Sequence, residues 1–240
     1  MNSDARTRVM ARVRGACQGN SATRIEEELA ALGVAPAAAL PHEDTCIAFM
    51  VNVLRNQGTL EVAANRSDAV KRIGNYLYDH YRSHRLVAGN DPRLAAMPWR
   101  DGGVLPRFGE LEAGEQIALS HADWGVAETG ATVLLSGKHN PSRNNLLPEH
   151  HVVIVDVDTL LPDMESMWQQ VNPVLERHGR PRGIYCIAGP SSTGDIEAQL
   201  VYGAHGPRAW HVILLGEVDP EKLDMARALH AGAAAGASKD

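Results

Sequence analysis

"HVVIVDVDTL" (151–160) is the stretch that decides the fold. Its apolar residues are mostly β-branched and nearly continuous, so no alternation marks one wet face. A strand of this kind is buried on both faces, as in a parallel sheet covered by helices. Working outward, "GIYCIAG" (183–189) and "AWHVILL" (209–215) read as further buried strands. "PDMESMWQQVNPVLERHG" (162–179) reads as a helix that ends at Gly179, and "SSTGDIEAQLVYG" (191–203) as a turn and helix. Upstream, "IALSHADWGVA" and "ATVLLSG" are strand-like runs meeting at Glu128-Thr129-Gly130, and "GKHNPSRNNLLPEH" (137–150) is a loop. Alternation of strands with helices gives an α/β fold, a mostly parallel sheet with helices on both faces.

Towards the N-terminus the pattern is helical. "EDTCIAFMVNVLRNQG" (43–58) places Ile47, Val51 and Leu54 at helical spacing, with Gly58 as the stop. "TLEVAA" (59–64) and "RLVAG" (85–89) are short strands around the helix "RSDAVKRIGNYLYDHYRSH" (66–84), and "NDPRLAAMPWRDGG" is turn-rich. Residues 4–17 and 24–32 form two short helices; the first is amphipathic, with Val9 and Val13 opposite its arginines. The expected organisation is a helical N-terminal extension (1–40), an α/β domain (41–216), and a C-terminal helix (220–231) with a small, polar, mobile tail (217–240 together).

Composition narrows the function. A formal net charge of -6 argues against a general nucleic-acid binder, which carries a basic face. No apolar run approaches the roughly 20 residues that cross a bilayer, and charges occupy the N-terminal stretch where a signal peptide is apolar. Those features lead to the expectation of a cytoplasmic protein with no membrane partner. Three scattered cysteines, Cys17, Cys46 and Cys186, fit free thiols. They fall short of the four thiolates of a cubane iron–sulfur site, and no histidine spacing matches a metal motif, so neither metal nor cofactor is expected.

Three stretches carry candidate chemistry. Glu128, flanked by Gly125 and Gly130, is a base, a nucleophile, a ligand contact or only the polar residue of a bend. "GPSSTGDIE" (189–197) offers hydroxyls at a strand's carboxyl end, either as a binding loop or as a helix cap with Ser192 and Asp195. "GKHNPSRNN" (137–145) is a solvated loop, or it lets Arg143 grip a carboxylate.

Together, "ADWGVAETGATVLLSG" (122–137), "NPSRNNLLPEHHVVIV" (140–155) and "GPSSTGDIEAQLVYGAHGPRAWHVILL" (189–215) resemble the LUD-domain family, in its lactate-utilisation protein C branch. The resemblance covers residues 117–215 and implies a Rossmann-like fold similar to sugar-phosphate isomerases and CoA transferases. It also implies an accessory subunit of a complex that oxidises L-lactate to pyruvate beside iron–sulfur partner proteins. The alternatives are a stand-alone enzyme of the same fold superfamily, such as a CoA transferase using Glu128, and a non-catalytic assembly module. The family motif falls on Glu128, the candidate catalytic residue. It also falls on Thr129, Gly130, Arg143, Gly189, Ser191, Thr193 and His205, which with Ser192 are the candidate contacts to a small carboxylate. Two positions depart from the family pattern: Ala131 stands where Thr is usual, and Ser192 where Arg is common.

Overall fold

The computed structural model describes residues 3–16, 21–33, 37, 39–196 and 199–237. The expectations placed on Cys17, Glu197 and the last three residues of the tail lie outside these. Contacts divide the chain into Met1–Ala38 and Ala39–Asp240. The first unit holds α1 (Ser3–Ala16) and α2 (Ala22–Ala31). Ser21 caps α2 by accepting from Arg24 N–H, and Val9 and Val13 on α1 are exposed.

The second unit runs α3 (Thr45–Arg55), β1 (Thr59–Ala63), α4 (Arg66–Tyr81), β2 (Arg85–Ala88), α5 (Pro92–Ala95), β3 (Leu105–Phe108) and β4 (Ile117–His121). It continues through β5 (Trp124–Val126), β6 (Ala131–Leu135), α6 (Ser142–Leu146), β7 (His150–Asp156), β8 (Leu160–Leu161) and α7 (Met164–His178). It closes with β9 (Ile184–Ile187), β10 (Ser192–Ile196), β11 (Gln199–Tyr202), β12 (Ala209–Leu215) and α8 (Pro220–Ala237).

Six strands form an all-parallel sheet in the order β1-β12-β7-β4-β2-β3. Successive side chains of β7 point to opposite faces. Val152 and Ile154 pack with Ile73 and Leu77 of α4, whereas Val153 and Val155 pack with Phe49 and Val51 of α3 and Ala226 of α8. Each such side chain stabilises the sheet by about 1.5–3 kcal/mol. The helices therefore cover both faces, as the continuous apolar run implies. Asp44 starts α3 by accepting from Cys46 N–H (2.9 Å) and Ile47 N–H (3.1 Å), and its other oxygen accepts from Lys222 of α8 at 2.6 Å.

Five readings of the sequence are corrected. Ser192–Ile196 and Gln199–Tyr202 form an antiparallel pair, β10 with β11, where a helix was expected. Thr193, Ile196 and Val201 favour extended backbone, and Gly194 disfavours a helix. "GIYCIAG" does form a strand, β9, but in a second sheet of order β8-β5-β6-β9, where it pairs antiparallel with β6 and leaves Cys186 exposed. The loop at 137–150 contains the short helix α6, and α8 continues to Ala237, beyond the expected end at 231. Gly58 is not the helix stop. Gln57 makes the left-handed turn (φ 62°), and Gly58 leaves space for Trp210, whose ring carbon would lie 2.6 Å from a Cβ there.

The chain leaves β2 towards β3 but leaves β4 towards β7, so the order reverses between β2 and β4. Arg93, just after β2, ties this point together. It donates to Asp91 (2.7 Å), Asp123 (3.1 Å) and the carbonyl oxygens of His121 and Ala122 (both 3.1 Å). Burial pushes the Asp91 carboxyl up, but Arg93 more than offsets this and holds it below the ordinary value. Replacing Arg93 by Met leaves two carboxylates and two carbonyl groups short of a donor. The expected loss is about 2–3 kcal/mol in urea unfolding, partly recovered when Asp91→Asn is added.

Candidate functional site

Alternation along the strands sorts the buried polar residues onto two faces. His150 and His211 turn towards α4, where Tyr76 Oη meets His150 Nδ1 at 2.9 Å and Thr59 Oγ1 meets His211 Nδ1 at 2.8 Å. Tyr76 also stacks on the His211 ring. Ser120 of β4, His151 of β7 and Trp210 of β12 turn to the opposite face, each almost fully buried.

On that second face, the Ser120 hydroxyl lies 2.6 Å from Asn145 Oδ1 and 3.0 Å from His151 Nε2. Its neighbour Asn144 is fully used: Oδ1 accepts from Leu111 N–H at 2.7 Å, and Nδ2 donates to Gly109 O at 2.9 Å. Asn145 is not. Its Nδ2 has no hydrogen-bond partner among the described residues, nor do His151 Nδ1 and Trp210 Nε1. Leaving a buried polar group unpaired costs about 1–3 kcal/mol.

These three residues line one cavity of about 270 Å³. Another part of its wall comes from the end of β9 and the loop that follows, including Cys186, Gly189 and Ser191, and from the turn before β12, including His205 and Gly206. The wall is fixed by backbone bonds. Ser191 N–H donates to Pro207 O at 2.7 Å, and Gly203 N–H donates to Ser191 O at 2.8 Å. Gly189 adopts φ 105° and lies so close to Asn56 O that a Cβ would sit 2.4 Å from it, so only glycine fits. Tyr185 of β9 donates to Ser142 of α6 at 2.7 Å, joining two sides of the site.

Of the candidate residues, the cavity brings together Gly189, Ser191 and His205. Ser192 and Thr193 lie on β10, paired with Tyr202 and Val201, and neither lines the cavity. Glu128 is half-buried at the β5–β6 turn, and its carboxylate accepts from Met164 N–H at 3.0 Å, at the start of α7. Thr129 O accepts from Asn56 Nδ2 at 2.7 Å, and Gly130 packs against the backbone of Asn52. Arg143 is exposed on α6 and donates to Leu111 O at 3.3 Å. Neither the Glu128 turn nor Arg143 is among the lining residues. Asn145 was missed because it falls in the stretch read as a loop, which folds as α6. His151 and Trp210 were missed because each stands in an apolar strand and reads as an ordinary strand-end residue; the available signal was their shared face under strand alternation.

Residues 113–215 match the LUD domain. A lactate utilization protein C from Halalkalibacterium halodurans is 31% identical over 181 residues, covering 69% of this chain and 79% of that protein. The chain belongs to the LUD-domain family. A lactate utilization protein C from Exiguobacterium is 34% identical over 142 residues, covering 55% of this chain and 61% of that one. The uncharacterized protein YkgG of Escherichia coli is 28% identical, covering 68% and 75%. These relatives place the chain in the lactate-utilisation protein C branch of the LUD family. The fold is similar to the crystal structure of a DUF162 family protein from Deinococcus radiodurans, with TM-score 0.51 and 18% identity, over 72% of this chain and 96% of that one. Thus the LUD-family α/β architecture expected from the motifs is the one present.

Three buried histidines make this LUD domain acid-sensitive. Burial holds His151 down to about 3. It also lowers His150 to about 4 and His211 to about 3, with His80 adding to both. The unfolded chain takes up these protons near 6.5, and the folded chain only near 3–4. Their stabilisation is therefore complete above the unfolded value and is lost as the pH falls towards the folded values. Below about pH 6, urea unfolding is expected to lose up to about 1.4 kcal/mol per pH unit for each histidine, and less between about pH 7 and pH 6, where the unfolded imidazole is only partly protonated. His211→Asn is expected to flatten that slope by one proton.

Proposed function

We propose that this chain acts in lactate utilization, as a cytoplasmic subunit that works beside iron–sulfur partner proteins. The observation that carries the reading is its 31% identity to a lactate utilization protein C across 79% of that protein. The cavity adds a physical basis. At about 270 Å³ it suits a molecule of a few heavy atoms, and three of the residues that line it hold buried polar atoms without a partner, which supports a small polar ligand such as a carboxylate. Three cysteines in the whole chain are too few for a cubane cluster, which fits a reading in which partners with more thiolates carry the electrons.

Exposed apolar side chains add support for a partner. Leu146 and Leu147 at the end of α6 are exposed, as are Leu200 and Tyr202 on β11. Such side chains suit a protein–protein contact. Among the described residues no helix is long and apolar enough to cross a membrane.

Deleting the gene is expected to abolish growth on L-lactate as sole carbon source, and the wild-type gene to restore it. The tagged chain, isolated from lactate-grown cells, should bring down cysteine-rich iron–sulfur proteins. Unchanged growth of the deletion strain would overturn the role, and recovery of the chain alone would overturn the subunit assignment.

A further inference from the structure

We infer that the cavity formed by Asn145, His151 and Trp210 is a binding site for a short 2-hydroxy acid, and that the Ser120 relay distinguishes it from the corresponding keto acid or simple acid. The inference rests on the lactate reading for the length of the carbon chain, and on the donor and acceptor count for the rest.

Ser120 has one hydroxyl proton and touches both Asn145 and His151. If it donates to Asn145 Oδ1, its oxygen accepts from His151 Nε2–H. The neutral imidazole then keeps a bare Nδ1, an unpaired acceptor, while Asn145 Nδ2–H is an unpaired donor. If the amide is turned over, Asn145 donates to Ser120 and Ser120 donates to His151 Nε2. The unpaired set then becomes Asn145 Oδ1, an acceptor, and His151 Nδ1–H, a donor. Either way, the relay presents one donor and one acceptor. Trp210 Nε1–H is always a donor. The inner wall thus offers two donors and one acceptor, all without protein partners among the described residues.

A 2-hydroxy carboxylate matches that set. Its carboxylate oxygens accept from the two N–H groups, and its hydroxyl donates to the remaining acceptor. A 2-keto acid, or an acid without the hydroxyl, supplies no donor and leaves that acceptor buried and unpaired. A site built to bond a hydroxyl discriminates strongly against analogues that lack it. The imidazole is suited to the acceptor role because burial keeps it neutral. The position of His151 and Trp210 on one face of the sheet, with Asn145 of α6 joined to that face through Ser120, holds the three beneath the loop after β9 and the turn before β12.

The test uses the intact chain and ¹H–¹⁵N spectra of its four tryptophan indoles, titrated with sodium L-lactate, pyruvate and propionate. Trp210→Phe assigns the indole resonance. If that variant does not fold, Trp99→Phe, Trp124→Phe and Trp168→Phe assign it by elimination. L-Lactate is expected to move the Trp210 resonance and to bind at least about tenfold more tightly than either comparison acid. Folded Trp210→Phe should weaken L-lactate binding by about tenfold, and Ser120→Ala should bring lactate and propionate close to equal affinity. Equal affinities for the three acids in the wild-type chain, or a Trp210 resonance that none of them moves, would overturn the inference. The two readings fail separately. A deletion strain that cannot grow on lactate, with a purified chain that ignores all three acids, removes only the site. A chain that binds L-lactate as described, with a deletion strain that grows normally, removes only the proposed role.

Discussion

Because β7 has hydrogen-bonded neighbours on both edges and packed layers on both faces, no side chain along its interior can escape to water. That constraint organises the domain. Apolar residues of β7 join one of two cores according to their parity, and the polar residues at its start must find a partner in whichever layer they enter. His150 meets Tyr76 under α4, and His151 meets Ser120 on the other side. Two adjacent histidines therefore have unrelated surroundings: one lies among aromatic rings in a closed layer, and the other lines a cavity.

The sequence disclosed the elements with the strongest periodicity. β7, α3, α4 and α7 follow from apolar spacing and from caps such as Asp44, Asn65 and Asp163, whose side chains accept the first free N–H groups of their helices. The pairing of β10 with β11 was not legible, because these short polar strands look like a capped helix until the pairing of Ser192 with Tyr202 is known. The second sheet was hidden for a related reason. "IALSHADWGVA" reads as one strand, yet it turns after His121 and contributes to two sheets, a change that no local propensity records.

The site was legible only in part, and the division has a physical basis. Gly189, Ser191 and His205 belong to a motif whose residues are close in sequence to the wall they form. Asn145, His151 and Trp210 converge from three separate segments, so their meeting depends on strand order and register. Trp210 lies beside His151 because β12 pairs with β7 in that register. Glu128 illustrates the opposite case. Its conspicuous setting between glycines leads to a hydrogen bond at the start of α7, while Gly130 allows the turn to press against α3.

The contact between Gly58 and the Trp210 ring has a practical meaning for anyone wishing to reshape this domain. The indole packs against a residue with no side chain, itself not part of the cavity lining, where even one methyl group would collide with the ring. Volume added at position 58 would thus act as a wedge against a panel and displace it. The chamber's shape is therefore tied to a position whose change alters no residue on its inner surface.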